Sequence, residues 1–295
     1  MKTKKAHRRA LVAVPMRAIR TLPGFRSYPL LYVGSALKAR RLRADLASIR
    51  AFLLFIGHPR SGHSLVGSLL DAHPEMAVAH ELDALDFVAA GYGRDQLFSL
   101  VLDHTRHNAQ AGRKSWGYSY AVPGQWQGRY RRLEVVGDKR GRKTTARLRS
   151  HPELLDRLTE TVQVPVKVVQ VVRNPYDNIA TMYARGHAPL EHQIELYFTL
   201  SDTTDSISGR LEDSRFHRLH LEDLVADAKG ELAALCDFLD VSAEPDYLGA
   251  CASIVFPSAH TTRSTAPWTP ELLGTVARQS ADHPWLGRYR FDEED

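Results

Sequence analysis

The sequence predicts an α/β protein in which helices cover both faces of a central parallel sheet, a three-layer α/β/α arrangement. An unbroken apolar run at 52–56 and strand patterns at 133–136 and 166–172, the last nearly continuous, are typical of strands buried on both faces. The first and last of these runs lead through a short polar loop into a helical pattern. With 295 residues and 43% hydrophobic content, the chain can bury a full core. We therefore expect one large domain at 51–295, preceded by a separate segment at 1–50.

Residues 1–50 form a basic arm. They contain 13 Lys and Arg residues but only one acid, Asp45, whereas the whole chain has a net charge of +5. Two interpretations stand side by side: a partly ordered tail packed on the domain, or a surface anchor on anionic lipid. Nucleic acid is a weaker third partner, because the arm has few aromatic residues and no recognisable reader module.

The arm shows neither a membrane span nor a secretory signal. Its apolar residues are too interrupted for a span of about 20 residues, and no sufficiently long apolar region precedes a cleavage site. The two cysteines, Cys236 and Cys251, lie in apolar helical patterns and are interpreted as reduced core residues. We expect a cytoplasmic protein, with peripheral contact at the inner membrane surface if the arm is an anchor.

The first strand, 52–56, runs into a glycine-bearing loop and then a helix. The loop is Gly57-His58-Pro59-Arg60-Ser61-Gly62, and the apolar helix stripe after it comprises Leu65, Val66, Leu69 and Leu70. At such a junction, unpaired backbone N–H groups and the positive end of the helix dipole converge on one point. The loop is therefore a candidate anion site, although tight glycine turns between strands and helices are also common for purely structural reasons.

The sequence of this loop is P-loop-like, but it departs from the loop pattern of nucleoside triphosphatases. The pattern G-x-x-x-x-G-K-[ST] places a lysine on the terminal phosphates, and here His63 stands at the lysine position. Gly57, Gly62 and Ser64 keep the frame, while Arg60 supplies a cation inside the loop. This departure argues against ordinary ATP or GTP hydrolysis.

The segment PRSG, a helix ending in LLDAHP and a following glutamate resemble the 5′-phosphosulfate loop of sulfotransferases. These enzymes use phosphoadenosine phosphosulfate (PAPS), and the resemblance is to the tyrosylprotein type and related bacterial carbohydrate enzymes. Most members have Thr-Thr or Ser-Thr where this chain has His63-Ser64, which leaves open whether the His63 side chain or only its backbone meets phosphate. The cofactor-binding loop residues that the resemblance implies are Pro59, Arg60, Ser61, Gly62, His63 and Ser64.

Residues 76–79 can form a second short strand that ends at His80 and Glu81. Because ligands of open α/β sheets collect at the carboxyl ends of strands, both side chains are expected beside the loop. The resemblance makes Glu81 the catalytic glutamate, 21 residues after Arg60, and hence the general base. His80 and His63 are the competing bases, and a surface glutamate that caps a helix at 82–89 is the structural alternative.

A third strand, 133–136, ends in Gly137-Asp138-Lys139. The resemblance implies that Lys139, together with Arg60, stabilises the transition state. The preceding region, 90–133, shows no sustained period. Its aromatic residues form either an acceptor wall or part of the core, and they are Trp116, Tyr118, Tyr120 and Trp126.

The strongest strand pattern, 166–172, ends in Arg173-Asn174-Pro175 and continues into a helix through Arg185. RNPYDNIATMYAR resembles the 3′-phosphate motif of sulfotransferases, which implies a clasp by Arg173, Thr181 and Arg185. The spacing fits, since Thr181 and Arg185 are i, i+4 neighbours on one helix face and guanidinium groups suit phosphate oxygens.

Two later segments carry weaker resemblances. A strand at 216–221 and a helix from Glu222 to Leu239 resemble the family's Y-E-D-L element, with Leu221 at the position of the tyrosine near adenine. SAHTTRSTAPWTPELL resembles a loop that closes over the cofactor, which implies a phosphate contact for Arg263. Residues 153–162 predict a crossover helix.

The sequence therefore predicts a PAPS-dependent sulfotransferase that acts on a hydroxyl of a carbohydrate, a lipid, a small molecule or tyrosine. No H-E-x-x-H or C-x-x-C motif occurs, so no metal is expected. A P-loop nucleotide kinase and a non-catalytic, membrane-associated nucleotide-binding module are the alternatives.

Overall fold

Five parallel strands form the central sheet of the computed structural model, which describes residues 29–115 and 118–292. The strands are β1 (Ala51–Gly57), β2 (Met76–His80), β5 (Val135–Lys139), β6 (Val166–Val172) and β7 (Phe216–His220). Their order across the sheet is β2-β5-β1-β6-β7. The predicted parallel sheet is confirmed. Two further strands, β3 (Lys114–Ser115) and β4 (Tyr118–Ser119), form a separate antiparallel pair.

The register places β1 at the centre, where Phe52 lies beside Val136 of β5 and Val166 of β6. From β1 the chain crosses over β5 to reach β2, whereas from β6 it continues outward to β7. Connections that leave two neighbouring parallel strands in opposite directions open a crevice at their carboxyl ends. The crevice between β1 and β6 is thus where the fold expects a ligand.

Helices cover both faces of the sheet. In chain order they are α1 (Pro29–Arg41), α2 (Arg43–Leu46), α3 (His63–Asp71), α4 (Ala84–Ala89), α5 (Arg94–Gln110), α6 (Gly141–Ser150), α7 (Glu153–Val162), α8 (Pro175–Arg185), α9 (Leu190–Ser208), α10 (Leu221–Ala226), α11 (Ala228–Leu239), α12 (Pro245–Ala252) and α13 (Pro270–Ala281). Within the described ranges no helix is long and apolar enough to cross a membrane.

The alternation of side chains along β1 divides the core. Phe52, Leu54 and Ile56 join one buried cluster with α5 and α7, while Leu53 and Phe55 join another with α3 and α11. A third cluster packs α8 and α9 against the C-terminal segment, including Trp285 and Leu286. The loops after β1 and β6 therefore start from strands whose side chains are packed into a buried cluster on each face of the sheet.

Several element boundaries differ from the sequence prediction. The helix predicted at 222–239 is two helices, because the side chain of Asp227 accepts from Gly230 N at 2.9 Å and starts α11 afresh. The helix predicted at 82–89 starts at Ala84, since Asp83 before it has φ of 70°. Helix α5 was not predicted, although its residues Leu97, Phe98 and Val101 are fully buried.

Part of the basic arm, 29–46, is helical. Helix α1 packs along α5, where Ser99 Oγ donates to Ser35 O at 3.2 Å. The remainder of the arm, 1–28, lies outside the described residues, as does Trp116 of the predicted acceptor wall.

Candidate functional site

The loop from Gly57 to Gly62 leads into α3 with an unusual backbone. Gly57, Arg60 and Gly62 have φ angles of 124°, 69° and 98°. Gly57 N donates to Thr145 Oγ1 of α6 at 2.7 Å, which fixes the start of the loop. The first N–H groups of a helix have no intrahelical acceptor and lie at the positive end of its dipole. The loop and the first turn of α3 therefore have the backbone geometry of a candidate anion site, which stays a prediction.

The His63 side chain turns away from this anion site. Its Nε2 donates to Ile56 O at 2.8 Å, and its Nδ1 lies 3.0 Å from Ser61 Oγ. Burial is the main reason why the pKa of His63 is lowered to about 4. With both ring nitrogens engaged, His63 can offer only its backbone N–H to a phosphate, and the structure argues against it as a general base.

Lys139 joins the loop helix to Glu81. Its Nζ lies 3.1 Å from Glu81 Oε1 and 3.2 Å from Ser64 Oγ. The Lys139 side chain is only 3% exposed, whereas that of Glu81 is 52% exposed. The structure thus brings the predicted base and the predicted cation together, with the carboxylate at the solvent side where an acceptor can reach it.

Glu81 is held at the end of β2 in a left-handed backbone conformation, with φ of 69°. Glu81 N donates to Lys139 O at 3.0 Å. The buried carboxylate of Asp138 accepts from Leu82 N at 2.9 Å and from Ala84 N at 2.8 Å. Such a conformation costs about 1–2 kcal/mol in a residue other than glycine, so these contacts determine where the Glu81 side chain points.

The local charges set the protonation states of the two candidate bases. Burial raises the pKa of Glu81, but the charge and hydrogen bond of Lys139, together with the charges of His80 and Arg140, lower it overall. Burial first, and then the charge of Lys139, lowers the pKa of His80 to about 4. Burial also lowers the pKa of Lys139, although Glu81 offsets part of this change. Near neutral pH, Glu81 is therefore a carboxylate and His80 a neutral imidazole.

Arg173, at the end of β6, lies in a polar cluster on the other side of the crevice. Its Nη1 donates to Thr181 Oγ1 at 3.1 Å, and its Nη2 donates to Thr262 Oγ1 at 3.3 Å. Thr181 Oγ1 and Thr262 Oγ1 are 2.8 Å apart. Arg173 and Thr181 thus lie together as the sequence predicted, and Thr262 joins them.

Arg185, the third member of the predicted clasp, is exposed at the end of α8. It lies close enough to Arg60 that its charge, after burial, contributes to lowering the pKa of Arg60. A bound polyanion would relieve this repulsion between two guanidinium groups.

Arg263 is not placed as predicted. Its Nε and Nη2 donate to Asp177 Oδ2 at 3.1 and 2.8 Å, and its Nη1 donates to Arg290 O and Phe291 O, both at 3.2 Å. The side chain is 6% exposed. Arg263 therefore holds the C-terminal segment and Asp177 together, and its neighbour Thr262 supplies the polar group at the crevice.

Asp177 is the organising residue that the sequence analysis missed. Its Oδ1 accepts from Thr262 N at 2.6 Å and Arg263 N at 2.7 Å, while its backbone oxygen accepts from Thr181 Oγ1 at 2.8 Å. The only sequence signal for it is a carboxylate in the first turn of a helix beside Arg173.

The loop and the Arg173 cluster are joined directly. Asn178 Nδ2 of α8 donates to Pro59 O at 2.8 Å, and Arg173 Nη1 lies 3.4 Å from Arg60 O. Two strand–loop–helix junctions, each with cationic side chains, thus face one crevice between β1 and β6. This arrangement suits a ligand that carries two separate anionic groups.

A match to a protein-family model identifies the enzyme family to which this site belongs. The matching model is that of the sulfotransferase family, and it covers residues 53–245, about two thirds of the chain. The chain belongs to the sulfotransferase family. The enzyme class predicted from the loop and the RNPYD segment is thereby confirmed, and the nucleotide-kinase alternative is set aside.

Solved sulfotransferase structures resemble this chain at low identity. The sulfotransferase domain of the Synechococcus PCC 7002 olefin synthase is 17% identical, with 80% of this chain and 94% of that chain covered and a TM-score of 0.49. STF9 from Mycobacterium avium is 11% identical, with 94% and 84% covered and a TM-score of 0.49. Mouse SULT7A1 complexed with PAP is 10% identical, with 84% and 90% covered and a TM-score of 0.44. A search of curated proteins found no match.

The aromatic residues predicted near the acceptor divide into two groups. The Tyr118 ring lies 5.9 Å from that of Phe256 and 6.2 Å from that of Tyr120, and both Tyr118 and Phe256 are exposed. Tyr120 is close enough to Arg60 for each to affect the pKa of the other. Trp126 instead carries Arg129 over its ring at 5.4 Å. In the described part of the chain, no group of three or more His, Cys, Asp or Glu residues is arranged to hold a metal ion.

Proposed function

We propose that this sulfotransferase transfers the sulfuryl group of PAPS to a hydroxyl group, with Glu81 as the general base. The observation that carries the proposal is the pair of anion sites on either side of the β1/β6 crevice. One is the loop with Lys139, and the other is the Arg173 cluster. PAPS carries a 5′-phosphosulfate and a 3′-phosphate, so each site has a matching group.

The roles divide between the two sites. The loop holds the 5′-phosphosulfate through the backbone N–H groups of Arg60, Ser61, Gly62, His63 and Ser64 and the hydroxyl of Ser64. Pro59, which has no N–H, borders this site, and its carbonyl oxygen accepts from Asn178. Arg173, Thr181 and Arg185 hold the 3′-phosphate, and Thr262 is added to them. The Arg263 side chain is left out of this assignment because its donors are directed at Asp177 and at two carbonyl oxygens.

The residues of the chain account for each step of the transfer. Glu81 accepts the proton of the acceptor hydroxyl, whose oxygen then forms a bond to sulfur in line with the bond that breaks. PAPS supplies the sulfuryl group and leaves as phosphoadenosine phosphate (PAP). Lys139 and Arg60 stabilise the negative charge that develops on the sulfuryl and bridging oxygens. The mechanism assigns no role to a metal ion.

The acceptor approaches from the exposed side of Glu81. The exposed Tyr118 and Phe256 offer an aromatic surface on which a sugar or a phenol ring can stack. Carbohydrate, lipid, small-molecule and tyrosine hydroxyls all remain candidates. The buried, unpaired thiols of Cys236 and Cys251 accord with the cytoplasmic location predicted from the sequence, which stays a prediction.

Calorimetry with PAP and AMP tests the proposed donor. We expect PAP to bind about 100-fold more tightly or better, because only PAP has a 3′-phosphate and each charge-assisted contact contributes about 1.5–3 kcal/mol. Arg173→Ala should remove most of this preference. Arg149→Ala is the matched control, since Arg149 is exposed at the other end of α6 from the loop. Equal affinities of the wild type for PAP and AMP would refute the assignment.

A further inference from the structure

Helix α1 exposes its large apolar side chains, the reverse of an ordinary surface helix. Four of the six large apolar side chains exposed in the described ranges lie on this one helix. They are Leu30, Leu31, Val33 and Leu37, with exposures of 89%, 41%, 44% and 53%. Leu30, Val33 and Leu37 follow the i, i+3, i+7 spacing of one helix face, so they form a continuous apolar stripe.

The opposite face of α1 packs on α5 mainly with small and polar groups, together with the Tyr32 ring, which lies 5.0 Å from that of Tyr92. Ser35 and Ala39 are its buried residues. Gln96 Nε2 donates to Tyr32 O at 2.9 Å, and Lys38 pairs with Asp103. A surface helix normally buries its leucines and exposes such residues. The reversal means that the contact with α5 fixes the helix while its apolar stripe faces outward.

Basic residues lie at the C-terminal end of this stripe. The last turn of α1 contains Lys38, Arg40 and Arg41, and both arginines are exposed. No Asp or Glu occurs among the first 44 residues of the chain. An apolar stripe with a flanking excess of positive charge is the pattern of helices that lie in the headgroup region of anionic membranes.

We propose that the outward face of α1 docks on an anionic lipid bilayer. With 13 residues, α1 is about 20 Å long, shorter than the roughly 30 Å hydrocarbon layer, so it lies on the membrane and does not cross it. A second copy of the chain is a poorer occupant, because two equally basic surfaces would repel each other. The stripe also lacks the Trp, Tyr and Arg anchors that dominate protein–protein contacts. This inference concerns attachment and is independent of the proposed reaction.

Vesicle co-sedimentation of the full chain tests this docking. We expect binding to vesicles of phosphatidylcholine with phosphatidylglycerol, and little binding to phosphatidylcholine alone. The triple variant Leu30→Gln, Val33→Gln, Leu37→Gln should bind the anionic vesicles at least about 10-fold more weakly, since its apolar surface is lost. The double variant Leu30→Met, Leu37→Met should retain binding because Met is also apolar. An unchanged midpoint of urea denaturation shows that each variant is folded.

A charge variant gives an independent measurement. Arg40→Gln, Arg41→Gln should weaken binding by about 10- to 30-fold, because each basic residue near an anionic surface contributes about 1 kcal/mol. Lys229→Gln, Arg278→Gln removes the same charge from exposed positions on α11 and α13 and should have little effect. Wild-type protein that stays in the supernatant with anionic vesicles at low salt would overturn the proposal. So would a triple variant that binds like the wild type, or a stripe that proves to mediate dimerisation in sedimentation velocity without lipid.

Discussion

At the residue scale, the ion pair of Lys139 and Glu81 places the two charges of the proposed mechanism 3.1 Å apart. A general base must be deprotonated at the working pH, and the charge of Lys139 keeps Glu81 so despite its partial burial. The same contact makes Glu81 a weaker base than an isolated carboxylate. In the proposed mechanism, its effectiveness would depend on Lys139 being drawn toward the charge on the sulfuryl group during transfer.

Glu81→Gln should lower turnover by about 10²- to 10⁴-fold, because the amide cannot accept the proton. Affinity for PAP should stay near that of the wild type, since Glu81 contacts the cation and not the proposed phosphate sites. His80→Ala is the matched control from the adjacent position and should retain most of the activity. If His80→Ala loses turnover with PAP binding intact while Glu81→Gln keeps it, His80 is the base.

The pH profile tests whether the general base titrates in the acid range, as both candidates do in this site. The pKa of Glu81 is lowered, so kcat/KM should fall only when the pH drops below the ordinary glutamate value of about 4.3, as the base becomes protonated. An acid limb near the ordinary histidine value of about 6.5 would contradict this assignment. The lowered pKa of His80, about 4, makes the mutational comparison necessary as well.

At the element scale, the packing of α3 on β5 positions Lys139. A Cβ at Gly67 of α3 would lie only 2.7 Å from Lys139 Cγ and 3.0 Å from Lys139 Cβ. The absence of a side chain at Gly67 thus leaves room for the lysine stem on its way to Ser64 and Glu81.

Gly67→Ala should therefore reduce turnover by about 10-fold or more, because the added methyl group displaces Lys139. The free energy of unfolding should change less, since the gain in helix propensity of about 1 kcal/mol offsets part of an overpacking cost of about 1–3 kcal/mol. Gly249→Ala on α12 is the control, as a Cβ there meets no atom within 4 Å. Enzyme assays and urea denaturation of both variants measure the two effects, and unchanged turnover in Gly67→Ala would contradict the packing argument.

The strands and the two phosphate-type loops were predictable because their signals are local. Residues 166–172 are almost entirely β-branched and become β6 with the predicted bounds, and Pro175 marks the start of α8. Helix α5 was missed because polar residues interrupt its apolar pattern. Thr262 and Arg263 could not be distinguished from sequence, since an irregular loop has no period to show which side chain points inward. The inward turn of His63 depends on Gly141, a contact distant in sequence: a Cβ there would lie 2.5 Å from the ring.

At the scale of the whole molecule, distant parts of the chain assemble the proposed 3′-phosphate side. Glu222, after β7, accepts from Asn174 N and from Tyr289 Oη, both at 2.8 Å. The C-terminal segment also accepts from Arg263, which in turn holds Asp177. These contacts join α8, the 260–263 loop and the C-terminal residues around Arg173. No short sequence motif encodes these contacts. The sequence therefore predicted some residues of the Arg173 cluster but not the contacts that hold them in place.

The most direct test of sulfuryl transfer uses PAPS with radiosulfur in the sulfuryl group and radiophosphorus in the 5′-phosphate. The enzyme is incubated with this donor, EDTA and a fractionated whole-cell extract that supplies acceptors. We predict that radiosulfur appears on an acceptor while all radiophosphorus stays with PAP, and that Glu81→Gln slows the transfer by about 10²- to 10⁴-fold. Transfer of radiophosphorus to an acceptor, or retention of radiosulfur on the nucleotide with every fraction, would contradict the proposed reaction.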